Sequence, residues 1–92
     1  MTQWKLPDEM ILRLPFGFKV KVLKRRLTPA DHGDWLDFNN SRVGILRIRR
    51  SDPYDVQIDT LVHEMHHALT DWSNQALKYA NEYREAQQED KD

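Results

Sequence analysis

Ninety-two residues with 39% apolar content, including three Trp, three Tyr and three Phe, make one small domain spanning 1–92 and argue against wholesale disorder. The absence of Cys excludes disulfides and thiolate metal sites, leaving His and carboxylates as the available ligands. Net charge is −1, but eleven Lys and Arg stand against five Asp and Glu in residues 1–50, and three against ten in residues 51–92.

The two halves are therefore expected to attract one another or to form separate solvated faces. A basic surface for nucleic acid is the sharper alternative, but no aromatic–basic recognition motif supports it, so a nucleic-acid partner is not expected. With no basic-then-apolar leader and no long apolar run, the expectation is a soluble, cytoplasmic chain without a membrane partner.

In chain order, Pro7-Asp8-Glu9 suits the first turn of a short helix through Leu12 or Arg13, ended by Pro15. Phe18, Val20 and Val22 then alternate with Lys19 and Lys21, the period of a half-buried strand. Thr28 to Gly33 is a connector by composition. Trp35–Phe38 reads as a second, short strand, Asn39-Asn40-Ser41 as a turn, and Val43–Arg49 as a third strand with Leu46 and Ile48 on one face. An antiparallel meander is the simplest arrangement of the three.

Asp52 and Pro53 open a helix expected to run to about Trp72, with Asp52 as its cap. Ile58, Leu61, Val62, Met65, Leu69 and Trp72 form its apolar side, leaving His63 and His67 on the polar side. Ser73-Asn74 looks like a break, followed by a second helix from Gln75 to about Gln88 with Ala76, Tyr79, Ala80, Tyr83 and Ala86 as its stripe. The tail Glu89-Asp90-Lys91-Asp92 is expected to fray. The expected fold is thus α+β, a small three-stranded antiparallel sheet on two successive helices.

His63-Glu64-Met65-His66-His67 fits the pattern H-E-x-x-H. Residues four apart share a helix face, so His63 and His67 can grip one cation from consecutive turns. Glu64 lies about 100° round from His63, where a carboxylate can take a proton from a water that the ion activates. His66 offers an alternative partner for His63 at i,i+3. Completion of the pattern favours His67.

A catalytic zinc keeps three protein ligands and one open position. In an antiparallel helix hairpin turning between residues 73 and 74, the level of residue 65 is met by residue 82, which is Glu82. Glu85 would need the turn to shift. Asp71 could be a ligand, an acceptor orienting His67, or a polar residue near the helix end. His32 reads as a surface histidine, and Tyr54, Tyr79 and Tyr83 as packing residues.

Leu61-Val62-His63-Glu64-Met65-His66-His67-Ala68-Leu69 resembles the active-site helix of zincin metallopeptidases, and the acidic helix expected after it resembles the gluzincin branch. Leu14 to Val22 and Asp71-Trp72 are similar to the very small zincin-like proteins of phages and mobile elements. The resemblance implies Zn2+ bound by His63, His67 and a Glu on the next helix, which falls on Glu82, with Glu64 as general base. It also implies a peptide or protein substrate, held in extended form on the sheet's edge strand, either Val43–Arg49 or Trp35–Phe38. Many relatives carry Gly where this chain has His66, and a second subdomain is missing. A zincin scaffold that binds or regulates without turnover is therefore the alternative expectation.

Overall fold

The computed structural model describes residues 4–39 and 41–89; Asn40 of the expected turn and the tail residues 90–92 lie outside the described residues. Residues Glu9–Leu14 form strand β1, not the expected helix. Met10, Leu12 and Leu14 are half-buried and Glu9, Ile11 and Arg13 exposed, a period of two that covers one face of a strand. Pro7 sits upstream and starts nothing helical.

A three-residue link, Pro15–Gly17, turns the chain into β2 (Phe18–Arg25), which pairs antiparallel with β1. Phe16 and Gly17 take φ values of 70° and 80° there. Gly17 does so freely, whereas Phe16 carries the strain of a left-handed L-residue.

From β2 the chain crosses to β3 (Gly33–Leu36) and returns as β4 (Val43–Arg49). The sheet order is β1-β2-β4-β3, with β4 parallel to β2 and antiparallel to β3. The sheet is thus four-stranded and mixed, which corrects the three-stranded antiparallel expectation. The two strands on either side of the expected turn, β3 and β4, are antiparallel as expected. The seven residues from 26 to 32, however, carry the chain past the position that β4 later fills.

Phe18, Val20 and Val22 of β2 and Leu46 and Ile48 of β4 are all buried at 3% exposure or less and form the core with Phe38 and Ala68. Phe38 lies past the end of β3 and packs edge-on against Phe18 and Trp35, with ring centres 5.0 and 5.1 Å away. Trp35 lies over Gly44, so close that a Cβ there would overlap the indole. Gly44→Ala should therefore displace Trp35 and destabilise the fold by about 1–3 kcal/mol, read as a lowered unfolding midpoint with altered near-ultraviolet dichroism.

Helix α1 runs unbroken from Tyr54 to Glu89, about 54 Å at 1.5 Å per residue. The expected hairpin is absent. Ser73 and Asn74 contain neither Gly nor Pro, and the Gln-Ala-Leu-Lys run that follows propagates a helix readily. The helix presents buried Gln57, Thr60, Ala68 and Ala76, with Leu61, Met65 and Trp72 packed against the core. Gln57 Nε2 donates to the carbonyls of Arg49 and Arg50, and a Cβ on Gly33 would collide with Thr60. Of the expected apolar side, Leu61, Met65 and Trp72 pack on the core and Ile58 is half-buried, while Val62 and Leu69 are exposed. The last turns extend beyond the sheet, and every residue from Asn81 to Gln88 is exposed.

The outer face of the sheet carries Arg13, Lys19, Lys21, Arg25 and Arg47 by strand register. Arg25 and Arg47 pair with Glu9 and Asp34, within the basic half itself. Among the described residues only Asp52 joins the two oppositely charged halves by ion pairs, through Arg49 and His32. Among the described residues the two halves are not broadly neutralised by ion pairs. No helix of the described residues is long and apolar enough to cross a membrane.

Candidate metal centre

The H-E-x-x-H residues lie on the third and fourth turns of α1. His63 and His67 are exposed, make no side-chain hydrogen bond among the described residues, and face each other with ring centres 5.2 Å apart at 80°. Two imidazoles on one tetrahedral ion, each with its nitrogen about 2.0–2.1 Å from the metal, hold their ring centres about 5 Å apart. The ring separation matches that spacing.

Glu64 is half-buried and lines a cavity of about 350 Å³ together with His63, Asp59, Thr60, His32 and Gly33. This cavity lies where the start of β3 approaches the helix. Because β4 is central, the edge strand beside the motif is β3, Gly33–Leu36, and the alternative segment Val43–Arg49 is paired on both sides.

The expected third ligand is not brought to the pair. Glu82 is exposed on the same continuous helix, fifteen residues beyond His67, or roughly 22 Å along the axis. Glu85 is a turn further still. Among the described residues, no three His, Asp or Glu side chains are gathered closely enough to hold an ion. The geometric argument for Glu82 required the hairpin, and an unbroken helix removes its premise.

Asp71 accepts a hydrogen bond from the Trp35 indole Nε1 at 2.5 Å, tying the edge strand to the helix instead of orienting His67. His66 is exposed, and its carbonyl accepts from the Thr70 hydroxyl. Tyr79 packs against Phe18 with the Arg42 guanidinium 4.9 Å from its ring centre, which bears out packing. Tyr83 is largely exposed, and Tyr54 borders a separate groove near the amino terminus.

The contact that the sequence did not suggest is between His32 and Asp52. The Asp52 side chain is only 6% exposed and its Oδ2 lies 2.8 Å from His32 Nδ1, while Arg49 donates to Oδ1 through Nε at 2.7 Å. Asp52 was expected to cap the helix, and its carboxylate is engaged here instead. Twenty residues separate the partners, so only the β3–β4 fold-back makes them neighbours. The one signal in the sequence was an acid, Asp52, just after the basic strand end Arg47 to Arg50.

The Arg49 guanidinium, then the His32 contact, hold the Asp52 carboxyl below its ordinary range against the opposing effect of burial. A carboxyl lowered in the folded state contributes stability that is complete above its unfolded value and is lost as pH falls through the folded one. The contribution of Asp52 should therefore decline only as pH falls below the ordinary carboxylate range and vanish beneath its lowered folded value, and Asp52→Asn should flatten the stability slope below about pH 4. Thermal melts across pH 2–6 check this.

Searches of protein-family models, of curated proteins and of solved structures find no match to this chain.

Proposed function

We propose that the chain is a zinc-dependent peptidase of minimal zincin type. The observation that carries this reading is the facing pair His63 and His67, at a separation suited to one shared ion, with Glu64 beside them in a cavity under an edge strand. A zinc ion held there would supply a Lewis acid that brings the pKa of a water toward neutrality. Glu64 would be the residue that takes a proton from the attacking water as the C–O bond forms and returns it to the leaving amine as the C–N bond breaks. The unpaired edge of β3 holds the substrate as an extended strand, its backbone N–H and C=O groups pairing with the peptide. A peptide-library digest, with and without a chelator, tests the reading: cleavage that survives complete zinc removal contradicts it.

A second reading is favoured by the distance of Glu82 from the histidine pair. In it the scaffold binds a peptide or protein partner and zinc serves stability alone. A melt that drops on chelation, in a protein that cleaves nothing in the library, supports this second reading over the first.

A further inference from the structure

A groove of about 1080 Å³ opens where the segment before β1 meets the end of β2 and the start of α1, and none of the H-E-x-x-H residues lines it. Lys24 is the last inward position of β2. Phe18, Val20 and Val22 precede it on that face, and like them it is buried, at 9% exposure. Its ammonium makes no hydrogen bond among the described residues. The nearest acid is Asp8, whose Oδ1 stands 4.0 Å away, beyond hydrogen-bond reach.

No side-chain nitrogen or oxygen of the described residues is both fully enclosed and unbonded, so the Lys24 Nζ keeps an opening, and the groove that Lys24 lines provides it. A buried ammonium without a hydrogen-bonding partner is costly, and an anion in the groove offsets that cost.

Arg50 reaches the same groove. Its Nη2 donates to the Lys24 carbonyl at 3.3 Å, and no carboxylate pairs with its guanidinium among the described residues. Lys5 adds a third cation to the lining. Asp8 and Asp52 are the acids there, and Asp52 is already engaged by Arg49 and His32. The groove therefore keeps an excess of positive charge. The positive end of a 36-residue helix adds to it, because α1 starts at Tyr54 on the groove wall.

Two cations beside a helix start match the nearly two negative charges of a phosphate monoester at neutral pH better than the single charge of a carboxylate. The volume suits a small organic molecule, and Trp4, Leu6 and Tyr54 supply apolar wall for the part beyond the phosphate.

We propose that this groove binds a small phosphate monoester, its phosphate between Lys24 and Arg50 and its apolar part against Trp4 and Tyr54. The site is independent of zinc, so it stands or falls separately from the peptidase reading.

The test titrates the full chain by calorimetry with phenyl phosphate, inorganic phosphate and benzoate at constant ionic strength. Phenyl phosphate should bind tightest and raise the unfolding midpoint. Lys24→Met keeps the side-chain length, removes the charge, and should weaken phenyl phosphate by about 10–100-fold, with Arg50→Gln costing about 10-fold. Asp8→Asn should tighten it by up to about 5-fold. Lys21→Met, on the outer face of the same strand, should change nothing.

A wild-type chain that ignores phenyl phosphate, or that binds benzoate or inorganic phosphate as tightly, overturns the proposal. Equal weakening in Lys24→Met and Lys21→Met overturns it in favour of diffuse surface attraction. If Lys24→Met does not fold, Arg50→Gln and Asp8→Asn decide the matter, and wild-type affinity in both overturns the site.

Discussion

Glu64→Gln is expected to keep zinc at wild-type affinity while cleavage falls by a factor on the order of 10²–10⁴. The substitution is nearly isosteric and changes one property, the capacity to accept a proton. Glu64 is half-buried at the cavity wall and makes no side-chain hydrogen bond or ion pair among the described residues, so removing its charge breaks no structural contact. His63 and His67, the proposed ligands, lie on the adjacent flank of the helix and are untouched. Metal analysis beside a single-turnover digest separates the two effects. Full activity in Glu64→Gln would sink the general-base assignment, whatever the metal content.

The largest stability effect is expected at Phe18. Its ring is 1% exposed, sits edge-on to Phe38, touches Tyr79 on the helix and lies under the Arg42 guanidinium. Phe18→Ala should cost about 3–5 kcal/mol, the lost transfer energy plus an unfilled cavity between β2 and α1. A chain of this length is stable by only about 5–14 kcal/mol, so the variant should be marginal or unfolded at 37 °C. Its midpoint should fall by more than about 12 °C. A shift of a degree or two would mean that Phe18 does not connect the sheet to the helix.

The strand periods were readable in advance. Val43–Arg49 was placed correctly to the residue, and the alternation through Phe18, Val20 and Val22 gave β2 and its buried face. The α+β class followed from those segments and from the helical run after Asp52. Strand order was not readable, because the connector from 26 to 32 is long enough for either a meander or a crossover, and local sequence carries no information on which edge is free. The first strand was misread because Pro7-Asp8-Glu9 is good helix-start chemistry, and the pairing of Met10, Leu12 and Leu14 with β2 outweighed it.

The candidate site was legible only as helical spacing: His63 and His67 stand four apart, and the helix places their rings 5.2 Å apart. Its remaining parts depend on tertiary contacts. Glu82 was reached through an assumed turn at Ser73-Asn74, two residues whose propensity permits a break without requiring one. The His32–Asp52 contact was not readable, because His32 was taken as a surface loop histidine and Asp52 as the helix cap.

Zinc stoichiometry, measured on the purified chain and on His63→Ala and His67→Ala, tests the metal centre most directly. The expected result is one zinc per wild-type chain, a higher unfolding midpoint with zinc than with chelator, and loss of both in each variant. Zinc absent from wild type, or retained at wild-type affinity when both histidines are replaced, would contradict a metal centre on this helix.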